Sequence, residues 1–93
     1  MHLQLEDLTT KGRAHYTVKG TTKAEMTYSK AGDTMLIIDH TEIAPELQGQ
    51  GVGRKLLDVI VAHARERSLR ILPLCPYAKS VFDKDASIRD VLK

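Results

Sequence analysis

The first third of the chain alternates apolar and polar residues, the pattern of a β-strand with one buried face. Residues 14–18 form one such run and residues 24–28 form another, separated by a turn that contains Gly20. Two alternating runs joined by a glycine-containing turn predict an antiparallel β-hairpin. Residues 1–11 are more weakly patterned, and their alternating leucines fit either a short edge strand or a frayed end.

The middle of the chain changes from a strand pattern to a helix pattern. Residues 35–38 are apolar on both faces, which favours a central strand, and this strand is predicted to continue to Ile43. Pro45 ends it. From Gly51 to Ser68 the apolar residues recur at spacings of three and four, which predicts an amphipathic helix.

Three shorter elements are predicted after this helix. Residues 70–74 have the pattern of a short buried strand, and residues 79–85 and 87–92 favour two short helical pieces. The order is therefore β-β-β-α-β-α, in which the strand–helix–strand unit implies a right-handed crossover between parallel strands. We expect a mixed β-sheet of the α/β (α+β) class, with an N-terminal antiparallel hairpin and a central β-α-β unit.

Composition limits the class of protein. The 93 residues suffice for one domain, residues 1–93, of which 42% are hydrophobic and 28% are charged. The net charge of +2, with basic residues spread among acids, predicts no nucleic-acid partner. A single cysteine excludes an intramolecular disulfide and a zinc site built on several thiolates. Because no signal peptide or apolar run of membrane-spanning length is recognisable, we expect a cytoplasmic protein and no membrane partner.

The segment Gln48-Gly49-Gln50-Gly51-Val52-Gly53-Arg54 has glycine at every second position, between the predicted strand and the predicted helix. Such a turn can direct several backbone N–H groups to one point, and a helix that begins there adds the positive end of its dipole. The segment therefore predicts a cradle for phosphate or pyrophosphate. It is not a Walker A loop, because Arg54 stands where that motif requires glycine followed by lysine, and its third glycine falls one residue early for G-x-G-x-x-G.

The segment does match the pattern Gln/Arg-x-x-Gly-x-Gly/Ala, with Gln48, Gly51 and Gly53 at the fixed positions. Placed after a strand and at the start of a helix, it resembles the acetyl-CoA-binding motif of the GNAT-type N-acetyltransferases. The alternative is a glycine turn that only permits tight packing between strand and helix. Residues 38–43 and 73–79 extend the resemblance to the small, single-domain YjdJ-like branch of that superfamily.

This resemblance implies a minimal GNAT fold with splayed parallel strands, short C-terminal helices, and acetyl-CoA as cosubstrate without a metal. It also implies that backbone N–H groups hold the CoA pyrophosphate, and that the strand at residues 40–43 runs beside the pantetheine arm and helps to place the thioester. The residues implied for cofactor binding are Ile43, Gln48, Gln50, Gly51, Val52, Gly53 and Arg54.

Pro73 and Pro76 give an independent argument for a site at the same place. Neither proline has an N–H group with which to continue a ladder, so strand 70–74 is predicted to part from strand 35–43 near its carboxyl end. Open α/β sheets bind ligands in a gap at the carboxyl ends of parallel strands. In GNAT proteins the pantetheine arm enters a gap of this kind.

Cys75 is the first candidate catalytic residue. The resemblance places its sulfur near the thioester, as a transient acyl acceptor or as a wall of the site, and the alternative is a small buried residue. An ordinary thiol is mostly protonated at neutral pH, so nucleophilic work by Cys75 would need a nearby base or a helix N-terminus. The helix expected after Tyr77 could supply the second.

His40 is the candidate base. Alternation along the strand predicts one shared face formed by Leu36, Ile38, His40 and Glu42. Glu42 could orient His40 only loosely, as a neighbour two residues away, and the alternative is a histidine that is hydrogen-bonded within the core or packed under a loop. The His-Thr-Glu and Pro-Leu-Cys segments resemble part of a zinc deaminase pattern, but the second cysteine of that pattern is missing, so no metal is expected.

The chain departs from the family at the general acid. Many GNAT enzymes carry a tyrosine in the helix after the second parallel strand, which protonates the leaving thiolate, but Phe82 stands at that position and Tyr77 is out of register. The expected function is transfer of an acetyl group from acetyl-CoA to a primary amine on a small molecule or a protein. The alternative is a CoA-binding module without turnover, acting as a sensor or a partner subunit. The acceptor and the oligomeric state are left open.

Overall fold

Five strands form one mixed β-sheet in the order β1-β2-β3-β4-β5. The computed structural model describes all residues 1–93, and the pairs from β1 to β4 are antiparallel whereas β4 and β5 are parallel. The predicted mixed sheet and hairpin are confirmed, and the N-terminal leucine-containing segment forms an edge strand. The strands are β1 (Gln4–Asp7), β2 (Lys11–Val18), β3 (Thr21–Ala31), β4 (Met35–Ile43) and β5 (Arg70–Pro73).

Two α-helices follow β4 and β5. Helix α1 (Val52–Arg67) connects the parallel strands and agrees with the predicted helix to within a residue at each end. Helix α2 (Pro76–Lys84) begins three residues before the predicted position, because a proline is well suited to the first turn of a helix. Short 3-10 helices cover Pro45–Leu47 and Ala86–Val91. None of the helices is long and apolar enough to cross a membrane.

The helices pack on one face of the sheet and form a single hydrophobic core with it. Every large apolar side chain that is sequestered there stabilises the fold by about 1.5–3 kcal/mol. The opposite face of the sheet carries polar side chains and has no helix packed on it. The largest buried side chains of the core are Tyr28, Phe82, Met26, Leu36, Ile38, Leu56, Leu57, Ile60, Ile71 and Val61.

A β-bulge in β4 changes which of its side chains face the helices. Ile38 pairs with Tyr28 and His40 pairs with Thr27, so Asp39 has no partner on β3. An unpaired residue shifts the alternation of side chains by one position. Before Asp39 the even-numbered residues of β4 face the helices, and after Asp39 the odd-numbered residues do.

The predicted face of Leu36, Ile38, His40 and Glu42 is wrong because of this bulge. Leu36 and Ile38 point into the core, whereas His40 and Glu42 lie on the face without helices and are exposed. Thr41 takes the helix side instead, opposite the buried Met26 of β3.

Strands β4 and β5 part as the prolines predicted. Their last pair is Ile38 with Pro73. Beyond this pair β4 continues to Ile43, whereas the segment after β5 turns away into α2. The Ile38 carbonyl accepts the N–H groups of Leu74 at 3.0 Å and of Cys75 at 2.9 Å, and these bonds close the narrow end of the gap. A gap between diverging parallel strands thus opens toward the start of α1.

Candidate cofactor and active site

The glycine segment leaves a run of backbone donors without protein partners. Gly49 and Gly51 adopt left-handed conformations, with φ of 80° and 73°, which glycine occupies without a steric cost. The first hydrogen bond at the start of α1 is donated by the Lys55 N–H to the Gly51 carbonyl at 3.2 Å. None of the N–H groups from residue 49 to residue 54 donates a hydrogen bond within the protein. Free N–H groups at the start of a 16-residue helix are suited to hold an anion.

A cavity of about 400 Å³ lies beside this segment and extends along β4. It contains most of the residues implied for cofactor binding, whereas the side chains of Gln50 and Arg54 do not line it. Four further residues line the cavity although they were not among those implied for cofactor binding, namely Thr41, Leu47, Gly49 and Tyr77. The lining residues are Thr41, Ile43, Leu47, Gln48, Gly49, Gly51, Val52, Gly53 and Tyr77.

The side chains of Gln50 and Arg54 hold the segment in place from outside the cavity. The Gln50 amide donates to the Glu46 carbonyl at 3.0 Å. The Arg54 guanidinium donates to Asp58 at 2.8 Å and to Asp85 at 2.7 Å, so it ties the start of α1 to the end of α2. The Ser87 and Arg54 hydrogen bonds lower the pKa of Asp85 to about 2. Residues 50 and 54 can therefore contribute backbone N–H groups to the site while their side chains support its shape.

The free edge of β4 supplies the main-chain groups of one wall. The Ala44 N–H donates to the Lys23 carbonyl at 2.8 Å, and hydrogen-bonded positions alternate along an antiparallel pair. Glu42 therefore also bonds to β3, whereas the N–H and C=O groups of Thr41 and Ile43 face the gap. The Gln48 amide makes a long contact of 3.5 Å with the Ile43 carbonyl.

Cys75 lies at the narrow end of the gap, at the residue that precedes α2. Its side chain is 5% exposed, and its Sγ atom lies 3.2 Å from the Thr41 hydroxyl oxygen. The Lys79 N–H donates to the Cys75 carbonyl at 3.0 Å, so the helix starts directly at this residue. The helix N-terminus that a reactive thiol would need is thus present beside Cys75.

His40 is separated from Cys75 by the sheet. Its Nε2 atom lies 3.3 Å from a Glu42 carboxylate oxygen, and the two side chains are 60% and 72% exposed. Since His40 is on the face without helices, the alternative of a core histidine is wrong. No group of three or more His, Cys, Asp or Glu side chains converges as metal ligands do.

The two aromatic residues of α2 occupy different environments. Phe82 is 1% exposed and belongs to the core, so it does not reach the cavity. Tyr77 lines the cavity, and burial raises the pKa of its hydroxyl, which stays protonated at neutral pH. Its ring packs on Gly53 at the start of α1. The position of Tyr77 in the cavity could not be foreseen from its register in the family pattern.

The gap between the strands, the glycine segment and the cavity together are typical of a class of acyl-transfer proteins. The sequence matches the same class. The profile of the family described as GCN5-related N-acetyl-transferase matches residues 13–91. The chain therefore belongs to this acetyltransferase family. A comparison with curated proteins gives no significant match.

Solved structures agree with this assignment. The NMR solution structure of a GCN5-like candidate N-acetyltransferase from Staphylococcus aureus is 37% identical, with a TM-score of 0.73 over 98% of this chain and 88% of that one. A ribosomal-protein-alanine N-acetyltransferase from Brucella melitensis is 16% identical, with a TM-score of 0.65 over 83% of this chain and 62% of that one. A predicted acetyltransferase from Clostridium acetobutylicum, solved with acetyl-CoA, is 17% identical, with a TM-score of 0.63 over 81% of this chain and 56% of that one. The chain thus spans less than two thirds of the last two proteins, which share its fold.

Proposed function

We propose that this chain is an N-acetyltransferase that moves an acetyl group from acetyl-CoA to a primary amine. The observation that carries the proposal is the run of free backbone N–H groups at residues 49–54, at one end of a cavity that follows the gap between β4 and β5. The CoA pyrophosphate is an anion that needs several donors, and its pantetheine arm needs a cleft. Acetyl-CoA bound to the Clostridium acetobutylicum relative of the same fold supports the choice of ligand.

The free edge of β4 orients the arm and its thioester. The N–H and C=O groups of Thr41 and Ile43 face the gap and suit the amides of pantetheine, which both donate and accept hydrogen bonds. A backbone N–H aimed at the thioester oxygen stabilises the negative charge that develops there when an amine attacks. Ile43, Gln48, Gly51, Val52 and Gly53 thus contact the ligand by side chain or main chain, and Gln50 and Arg54 by main chain.

The acceptor amine enters from the face of the sheet without helices. On that face His40 and Glu42 form a solvent-exposed pair, and we assign His40 the role of the base that takes the amine proton. A carbon–nitrogen bond to the acceptor forms as the carbon–sulfur bond of the thioester breaks, and water protonates the departing CoA thiolate. Replacing His40 by Gln should lower kcat without changing the affinity for acetyl-CoA.

Cys75 faces the thioester from the helix side. It serves as a wall of the site, and its place at the start of α2 also suits a transient acyl acceptor. The two roles differ in a covalent product. Mass analysis of the protein after incubation with acetyl-CoA, without an amine, shows one added acetyl group on Cys75 in the second case only, and a Cys75→Ala variant serves as the blank.

A CoA-binding module without turnover is the second candidate. The burial of Phe82 favours it, because no tyrosine hydroxyl reaches the thioester from that position. Calorimetric titration with CoA and acetyl-CoA, followed by measurement of free CoA thiol in the presence of a panel of amines, separates the two candidates. Thiol release that depends on an amine supports the enzyme, tight binding without release supports the module, and no binding at high micromolar concentration contradicts both.

A further inference from the structure

The inner end of the cavity is closed by a side-chain contact across the strand gap. Thr41 lines the cavity, and its hydroxyl oxygen lies 3.2 Å from the Sγ atom of Cys75. Behind this pair, the Ile38 carbonyl accepts hydrogen bonds from the N–H groups of Leu74 and Cys75. These bonds hold the two strands together at the narrow end of the gap. A ligand in the cavity therefore meets Thr41 as its end wall, and Cys75 lies directly behind Thr41 without lining the cavity itself.

The cavity has a direction that follows from the order of the chain. Strand β4 runs from the narrow end at Ile38 outward to Ile43, and the glycine segment at residues 48–54 follows it. A molecule anchored by the N–H groups of residues 49–54 therefore directs its far end along β4 toward Thr41. In acetyl-CoA, that far end is the acyl group.

We propose that Thr41 and Cys75 together limit the length of the acyl group, so that the site accepts acetyl-CoA and excludes longer acyl-CoA thioesters. This inference rests on the proposed function, because it requires CoA to bind with its pyrophosphate at the glycine segment. Thr41 and Cys75 are specificity-determining residues in this account, and neither needs to react.

The end wall is rigid for reasons visible in the fold. Thr41 is β-branched, which restricts its side-chain torsion, and it lies in a strand that pairs with the fully buried Met26. Cys75 is fixed by its N–H bond to Ile38 and by the start of α2. Cys75 also belongs to the close-packed core, which leaves its side chain little space into which to move.

Three variants separate the size of the wall from its chemistry. Thr41→Ser removes one methyl group and keeps the hydroxyl beside Cys75, and Cys75→Ala removes the sulfur. Thr41→Val keeps the volume of Thr41 but has no hydroxyl, so it is the matched control. A hydrophobic pocket discriminates between two ligands that differ by one methylene group by about 10- to 200-fold.

Calorimetric titrations of each variant with CoA, acetyl-CoA, propionyl-CoA and butyryl-CoA test the proposal. We expect wild-type protein and Thr41→Val to bind propionyl-CoA at least about tenfold more weakly than acetyl-CoA. In Thr41→Ser and Cys75→Ala that ratio should fall toward one. The ratio compares two ligands of the same variant, so it does not depend on the affinity for CoA itself, and measurable CoA binding shows that each variant is folded.

Two results would overturn the acyl-length limit while leaving the proposed function intact. One is equal affinity of the wild-type protein for acetyl-, propionyl- and butyryl-CoA. The other is a change in the propionyl-to-acetyl ratio that is as large in Thr41→Val as in Thr41→Ser, which would mean that the ratio does not follow the volume of the side chain at position 41. Absence of CoA binding to the wild-type protein would instead contradict the proposed function, and the acyl-length limit with it.

Discussion

The aromatic ring of Tyr77 lies directly against the backbone of Gly53. A Cβ atom at Gly53 would stand 2.9 Å from Tyr77 Cε2 and 3.1 Å from the Tyr77 hydroxyl oxygen. The two residues belong to the first turns of α1 and α2, so their contact joins the starts of both helices beside the cavity. The third glycine of the motif is therefore required by packing between the helices, and its φ is not in the left-handed region.

Gly53→Ala should destabilise the protein and weaken acetyl-CoA binding, because the added methyl group displaces the Tyr77 ring. Overpacking of this kind costs about 1–3 kcal/mol. In a Tyr77→Ala background the same change should become neutral or stabilising by up to about 1 kcal/mol, because alanine is the better helix former. Urea denaturation of the four proteins in this double-mutant cycle measures the coupling. Additive effects of the two substitutions would contradict the packing account.

Substitutions at Gly51 test whether the glycine segment binds the diphosphate, and they can separate the effect of charge from that of backbone strain. Its φ is 73°, and a Cβ atom there would meet nothing within 4 Å. Asn and Asp are the residues that tolerate this conformation best after glycine, so Gly51→Asn and Gly51→Asp carry similar strain and differ mainly in charge. We expect Gly51→Asp to bind acetyl-CoA at least about tenfold more weakly than Gly51→Asn, since about 1.4 kcal/mol of repulsion suffices.

Salt provides the control for the Gly51 pair. Repulsion between a carboxylate and a diphosphate is screened by ions, so the difference between Gly51→Asp and Gly51→Asn should shrink as the salt concentration rises. Calorimetric titrations at low and high salt measure it. Equal affinities of the two variants at low salt would place the diphosphate elsewhere.

Local signals in the sequence account for most of the fold. The three- and four-residue spacing of apolar side chains gave α1 almost to the residue, because that spacing depends only on helix geometry. The parting of β4 from β5 was equally accessible, since Pro73 cannot continue a ladder whatever its neighbours are. The glycine segment could be recognised for the same reason, as its backbone geometry is a property of its own residues.

The bulge at Asp39 had no such local signal. A bulge depends on the register between β3 and β4, and residues 35–43 alone carry no mark of where a pairing will slip. Because of this one extra residue, simple alternation predicted the wrong face for His40. It also predicted that Thr41 points away from the site, so Thr41 was not recognised as a lining residue. The contact of Tyr77 with Gly53 was inaccessible for a related reason, because it joins two helices that are distant in the chain.

The hydroxyl of Tyr28 supports the opposite end of the sheet, outside the cavity. Tyr28 is 1% exposed, and its hydroxyl donates to Asp7 at 2.6 Å while Lys30 donates to the other Asp7 oxygen at 3.0 Å. Burial and the Asp7 carboxylate raise the pKa of Tyr28. Burial alone would raise the pKa of Asp7, but the hydrogen bonds from Tyr28 and Lys30 outweigh it and lower that pKa.

Tyr28→Phe should therefore lower the free energy of unfolding by about 1.5–3 kcal/mol, the contribution of a hydrogen bond to a charged group. The affinity for acetyl-CoA should not change, because neither Tyr28 nor Asp7 lines the cavity. Urea denaturation and calorimetric titration of the same preparation measure both quantities. A large loss of affinity at unchanged stability would contradict the separation of this structural contact from the binding site.

Asp85 should make stability depend on pH in the acid range. It accepts hydrogen bonds from the Ser87 N–H at 2.8 Å and from Arg54 at 2.7 Å, which lower its pKa from 3.8 to about 2. A carboxylate whose pKa is lower in the folded state stabilises the fold fully above its unfolded pKa, and the effect is lost as the pH falls through the folded pKa. The contribution of Asp85 should thus be constant above about pH 5 and disappear between about pH 4 and about pH 2.

Asp85→Asn isolates this contribution, because it removes the charge and keeps a side-chain oxygen for Ser87. Unfolding free energies of wild-type protein and variant should differ above about pH 5 and converge toward about pH 2. Asp33→Asn, in the turn between β3 and β4, is the control, since Asp33 makes no ion pair and its removal changes only the net charge. A difference between Asp85→Asn and wild type that persisted unchanged to about pH 2 would show that the amide, and not the lost charge, disturbs the link between α1 and the chain after α2.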